Sequence, residues 1–292
     1  MTARKKRTLL AIIIGAVMLT TAVAVFVYNS GSRIDAVTIP GDISRNTYFS
    51  IHNITQAHEK SKGEGIRVGI LDWGFGFMEH GELYSGGLDF TGNSFNFNHV
   101  SEHGYWMALV LKEIAPGSEA YALGTFVPDN ESAWVDALIA AINWSIENDI
   151  DILTLSHQRI GEPNKARFDE AVNRAVEHGI VTTFIHQDNP NNILPFGFMR
   201  YRRGMEGYAR NPDINIYHYD NISSDAPTFS FSSMSPVTAG FVAMLKSIDN
   251  TLAPGEYRNI LFETSYPAYF GRDFLERVVD IGNAVNYLLN GR

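Results

Sequence analysis

Asp72, His103 and Ser232 supply a carboxylate, an imidazole and a hydroxyl, the three groups of a nucleophilic acyl transfer. Asp72 closes the apolar run Ile66-Arg67-Val68-Gly69-Ile70-Leu71 and precedes Trp73-Gly74, the pattern of a strand running into a turn. His103-Gly104 precedes a helical apolar stretch at 105–111, and Ser232 stands directly before another at 237–245. A serine at a helix N-terminus is placed to attack a carbonyl, because the positive end of the helix dipole favours developing negative charge. An imidazole can take the hydroxyl proton, while a buried carboxylate orients the ring and stabilises its charged form. Plainer roles compete: Asp before Gly is a common turn former, and Ser before a helix is a common cap. His99 lies four residues before His103 with Glu102 between them, a spacing that would put a metal pair on one helix face. No His-Glu-x-x-His pattern is present, and neither a metal nor any other cofactor is expected.

The elements that must position these residues follow from the apolar pattern. After Ala115-Pro116-Gly117, residues 120–123 read as a strand. Val135, Leu138, Ile139, Ile142 and Ile146 recur on one helix face, Asn148-Asp149 stops that helix, and residues 150–155 form the next strand. Phe168, Ala171, Val172 and Ala175 mark a further helix, His178-Gly179 caps it, and the β-branched run 180–185 follows. Apolar strands without polar alternation, separated by helices, predict an α/β fold in three layers: a mainly parallel sheet covered by helices on both faces. In such a sheet ligands bind at the carboxyl ends of the strands, where Asp72 lies. Residues 189–213 read as loops, and residues 257–289 as helical patches closing the same domain.

With these blocks in order, the chain resembles the subtilisin-like serine peptidases (subtilases, peptidase S8). Val68-Gly69-Ile70-Leu71-Asp72-Trp73-Gly74 resembles the family's strand ending in Asp-Thr-Gly or Asp-Ser-Gly. His103-Gly104-Tyr105-Trp106-Met107-Ala108 resembles His-Gly-Thr-His-Val-Ala, with Ala115-Pro116 at the expected distance. Ser230-Phe231-Ser232-Ser233-Met234-Ser235-Pro236, followed by Ala239-Gly240, resembles Gly-Thr-Ser-Met-Ala-Ser-Pro and its Ala-Gly. Ile142-Asn143-Trp144-Ser145-Ile146, then Asp151-Ile152-Leu153 and Ser156, match the helix and strand leading to the cleft. The resemblance spans about residues 55–248 and implies a subtilisin-like fold, a protein or peptide substrate and an Asp72, His103, Ser232 triad.

The same resemblance exposes departures. The family places an oxyanion-binding Asn in an Ala-Ala-Gly-Asn context. Here that position falls on Asp188, or on Asn189 after a one-residue shift. Gln187 replaces a glycine beside the expected specificity pocket. His157-Gln158 replaces Leu-Gly after Ser156, where backbone usually pairs with extended substrate, and Phe231 replaces a small residue beside the nucleophile. A catalytically impaired pseudopeptidase, kept as a protein-binding or regulatory module, is therefore the second expectation. Gly74 and Gly76 after a strand could begin a dinucleotide fingerprint, but Glu79 occupies the third glycine's place.

Bulk properties fix the setting. A net charge of −9 disfavours nucleic acid as partner, because phosphate binding wants a basic face. The absence of cysteine excludes disulfides and thiolate chemistry. Arg4-Lys5-Lys6-Arg7 precedes an uncharged apolar run at 9–28, about the roughly 20 residues a membrane helix needs. The basic flank predicts residues 1–8 as a cytoplasmic tail, 9–28 as a transmembrane signal anchor, 29–41 as a tether and 42–292 as an extracytoplasmic peptidase domain. The alternative is secretion after cleavage at Ala22-Val23-Ala24. Between the membrane segment and Asp72 there is no room for a folded inhibitory prodomain.

Overall fold

A computed structural model describes residues 37–39, 45–92, 97, 101–157, 159–185, 189, 191–193, 197–199, 215–217, 231–270 and 274–291. The chain divides into two compact units, Met1–Val37 and Thr38–Arg292, and the described residues belong to the second save Val37. The expected cytoplasmic tail and membrane segment lie outside the described residues.

In chain order the elements are β1 (Val37–Ile39), α1 (Arg45–Ile51), α2 (Ile54–His58), β2 (Arg67–Asp72), α3 (Phe77–His80), β3 (Gly86–Asp89), α4 (His103–Ile114) and β4 (Glu119–Gly124). Then come α5 (Glu131–Glu147), β5 (Ile152–Leu155), α6 (Asn164–Glu177), β6 (Val181–Phe184), β7 (Gly197–Met199) and β8 (Asn215–Tyr217). A 3₁₀ turn at Phe231–Ser233 runs into α7 (Met234–Lys246), followed by α8 (Pro254–Glu263), β9 (Tyr266–Phe270), β10 (Phe274–Val278) and α9 (Ile281–Leu289).

The main sheet is wholly parallel, in the order β3-β4-β2-β5-β6. Its strands alternate between two buried faces. Val68, Ile70, Ala120, Ala122, Ile152 and Val181 pack with Met107, Leu111 and Phe241 of α4 and α7. Leu71, Leu123, Leu153, Leu155 and Phe184 pack with Leu138, Ile142, Phe168 and Val172 of α5 and α6. The expected three layers follow from this alternation, because a parallel sheet buried on both sides needs apolar residues at every position. Each fully buried aliphatic or aromatic side chain contributes about 1.5–3 kcal/mol over leaving it in water. Asp72 has the parity of Val68 and Ile70 and so falls on the face that α4 covers.

α7 is buried along its entire length, which explains its run of Ala239, Gly240 and Ala243. A Cβ added to Gly240 would sit 2.6 Å from Cγ2 of Ile114, so the glycine permits close approach of α7 to α4.

Two expectations are corrected. The stretch 189–213, read as loops, contains β7, and the stretch 257–289, read as helical patches, contains the antiparallel pair β9 and β10. β8 joins β10 in parallel and β7 joins β8, so a second sheet exists that the apolar pattern did not reveal. β7 and β8 are three residues each, too short to establish a period of two. Val37–Ile39 falls within the stretch expected as a tether.

Candidate active site

β2 is central in the main sheet, with β4 on one side and β5 on the other. Its last residue, Asp72, is therefore at the point where the strand order turns, the usual place for a ligand crevice. The backbone locks that end in place. Thr125 N–H donates to the Asp72 carbonyl at 3.0 Å, beyond the end of β4.

The next link is the start of α4. A helix begins with N–H groups that lack intrahelical partners. Here Glu102 and Gly104 donate to the carbonyls of Gly74 and Trp73, both at 2.7 Å, and Tyr105 donates to Gly74 at 3.2 Å. The turn after Asp72 thus caps the helix that His103 opens. Gly104 has to be small, since a Cβ there would lie 2.8 Å from both the Phe75 ring and the Trp73 carbonyl oxygen.

This capping brings the two side chains together. His103 Nδ1 lies 2.8 Å from Asp72 Oδ1 and 2.9 Å from Oδ2. A carboxylate only accepts, so Nδ1 carries a proton and donates, and in the neutral ring Nε2 keeps its lone pair. Asp72 is 2% exposed, and Oδ1 also accepts the Trp73 N–H at 2.9 Å. Burial alone would pull the His103 pKa down. The Asp72 charge and its hydrogen bond more than reverse that, and the net pKa is raised above the ordinary 6.5. The Trp73 ring is stacked parallel to the imidazole, with centroids 6.5 Å apart and planes 5° from parallel.

Ser232 is partly buried in the 3₁₀ turn that leads into α7, and this turn packs against α4. Ser156, at the end of β5, donates its hydroxyl to the Ser232 carbonyl at 2.7 Å. Ser235 pins the first turn of α7 to the sheet. Its hydroxyl bonds Thr154 Oγ1 at 2.6 Å and the Leu155 carbonyl at 3.2 Å, and its carbonyl accepts from Thr183 Oγ1 at 3.2 Å. Ser235 entered the sequence reading only as part of a motif, and Trp73 only as a neighbour of Asp72. Their partners are distant in the chain, and no local pattern marks them.

His157 packs between Phe126 and Trp134, with centroids at 4.9 and 4.6 Å. Phe126 in turn lies 5.7 Å from Trp73, so aromatic rings run from His103 to α5. His157 Nδ1 is buried without a hydrogen-bond partner among the described residues, and burial, with the nearby His103 charge, lowers the ring's pKa against the opposing pull of Asp72. At neutral pH this ring is uncharged.

Asn189 is 4% exposed, and its amide is turned to α6. Nδ2 donates to Asp169 Oδ1 at 3.3 Å and to Asn173 Oδ1 at 3.2 Å, which uses both of its hydrogens. Gln158, Gln187 and Asp188 lie outside the described residues, as does His99. No cluster of three or more potential metal ligands occurs among the described residues.

No protein-family model matches the chain, and no curated protein matches it. Solved structures do. The chain aligns with the MycP3 protease from the type VII (ESX-3) secretion system over 86% of its own length and 91% of that chain, at 14% identity and a TM-score of 0.65. It aligns with a serine protease MycP1, described as an essential component of the type VII (ESX-1) secretion system, over 88% and 93%, at 15% identity and a TM-score of 0.62. MycP1 from Mycobacterium smegmatis aligns over 86% and 87%, at 12% identity and a TM-score of 0.61. These neighbours are subtilisin-like serine proteases, and the chain has their α/β fold.

Proposed function

We propose that the chain is a serine endopeptidase of the subtilisin type, hydrolysing peptide bonds of proteins or peptides through an acyl-enzyme on Ser232. The observation that carries this reading is the buried Asp72 carboxylate holding Nδ1–H of His103, on the helix that packs against the turn bearing Ser232. In this reading Nε2 of His103 takes the Ser232 hydroxyl proton as Oγ attacks the substrate carbonyl. Asp72 stabilises the imidazolium that results. The imidazolium then gives its proton to the leaving amine, and a water molecule hydrolyses the ester by the same path in reverse. Ser156, His157, Gln158 and Gln187 are the proposed substrate-binding residues.

Charge on the tetrahedral intermediate would fall at the N-terminal end of α7, where the helix dipole favours it. Since Asn189 spends its amide on α6, Asp188 is left as the side-chain donor of the oxyanion site, a role that a carboxyl fills only while it holds its proton.

We place the peptidase domain outside the membrane, anchored by residues 9–28 with the N-terminus in the cytoplasm. The fold neighbours belong to secretion systems, which supports an extracytoplasmic setting. Among the described residues no helix is long and apolar enough to cross a membrane, and the proposed anchor lies outside them.

The direct test is cleavage of a peptide library by purified protein and by Ser232→Ala. Cleavage abolished in the variant is expected. A second reading, a binding module without turnover, is favoured by the amide of Asn189 facing α6 and by the bulk of His157. No cleavage by either folded protein would favour that reading, and equal cleavage by both would contradict the nucleophilic role of Ser232.

A further inference from the structure

The chain leaving β6 is held by asparagines rather than by a strand partner. Asn192 bonds Phe184 in both directions: its Oδ1 accepts the Phe184 N–H at 2.8 Å and its Nδ2 donates to the Phe184 carbonyl at 2.7 Å. Asn189 Oδ1 accepts the Asn191 N–H at 2.9 Å, and the Asn189 carbonyl accepts the Asn192 N–H at 3.0 Å. These bonds draw Asn189 and residues 191–193 together and close them onto β6, where Ile193 N–H donates to the Thr182 carbonyl at 3.0 Å.

One residue outside the loop gathers it. Oδ1 of Asn173, on the exposed flank of α6, accepts from Nδ2 of Asn189 at 3.2 Å and from Nδ2 of Asn191 at 3.0 Å. Asp169, one helical turn earlier, accepts from Asn189 as well and is itself paired with Lys165. Spacing of four puts Asp169 and Asn173 on the same face of the helix. The loop therefore takes its position from α6.

We infer that Asn173 is a positioning residue: from α6 it fixes Asn189 and Asn191, and through them the alignment on which turnover depends. This rests on the proposed peptidase reading, in which the oxyanion donor lies on that chain beside Asn189. Asn173 touches neither substrate nor reacting atoms. Its effect would pass through Asn189 and Asn191. An oxyanion donor must already be aimed when charge develops, so loosening its loop lowers kcat without much change in substrate binding.

The experiment compares the full chain with Asn173→Leu, which removes the shared acceptor, and Asn173→Asp, which keeps it. Three quantities are read: kcat and KM on a cleaved peptide, thermal stability, and amide hydrogen exchange at residues 191–193. For Asn173→Leu the expected result is exchange faster by about 10-fold at those amides and kcat lower by about 10-fold, with KM and melting temperature little changed. Asn173→Asp should restore both. Unchanged exchange in Asn173→Leu overturns the inference. So does faster exchange with unchanged kcat, or an Asp variant that behaves like Leu. A wild-type chain without any turnover overturns the peptidase reading and the catalytic half of the inference, while exchange still decides the clamp.

Discussion

At the scale of single residues the site is a carboxylate that holds an imidazole by one nitrogen, the other having no hydrogen-bond partner among the described residues. Both oxygens of Asp72 are within hydrogen-bond distance of Nδ1, which fixes the tautomer that a general base requires. The raised pKa of His103 has two consequences of opposite sign. The protonated pair stabilises the fold, a contribution fully present below the ordinary histidine value of 6.5 and lost as pH rises through the folded value. The neutral base appears over the same interval, so kcat/KM should climb along an acid limb centred above 6.5. Asp72→Asn should move that limb to lower pH and reduce kcat by roughly 10⁴-fold, since the ring loses its charge partner and its tautomer. A pH–rate profile of the variant checks both. An unmoved limb would mean that a group other than His103 sets the profile.

At the scale of elements, the proposed catalytic groups ride on β2, α4 and the turn before α7, and the fit between α4 and α7 would decide their spacing. Gly240 faces Ile114 too closely to admit a methyl group, and a β-branched side chain has little freedom to give way. Gly240→Ala should therefore cost about 1–3 kcal/mol by overpacking. Thermal denaturation should show it as a melting temperature lower by several degrees, at about 2–4 °C per kcal/mol for a domain of this size. Activity should fall with it, because the same shift moves His103 from the turn of Ser232. An unchanged melting temperature would mean the helices separate freely.

The strands and helices that carry the site were legible for a local reason. β2, β4, β5 and β6 are apolar runs bounded by turn residues, and α5 and α6 show their period plainly. Asp72, His103 and Ser232 could be chosen because each borders such a run. What remained hidden depends on partners far away in the chain. The second sheet joins β10 to β8 across more than a helix pair of intervening sequence, and its short strands have no period to read. The partners of Ser235 and the commitment of Asn189 to α6 are likewise tertiary facts. The cluster of Asn189, Asn191 and Asn192 was visible as composition, but composition does not say which helix those amides reach.

At the scale of the whole molecule, the fold is that of serine proteases whose sequences share only 12–15% identity with this chain. The fold is thus retained where sequence likeness is slight, and chemistry has to be argued from the site. The apolar run at 9–28 with its basic flank argues for attachment to a membrane. Full-length protein should stay in the membrane pellet through alkaline carbonate washing, and a chain lacking residues 1–28 should be released. Release of the full-length chain by carbonate would contradict the anchor.

The central claim is that Ser232 is a nucleophile activated by His103 and Asp72. A fluorophosphonate probe tests it without knowledge of the substrate, since it reacts with an activated serine and stays attached. The expected result is a single adduct mapped by mass spectrometry to Ser232, lost in Ser232→Ala and strongly slowed in His103→Ala and Asp72→Asn. A folded protein that takes no label at Ser232, or that labels equally well without His103, would contradict it.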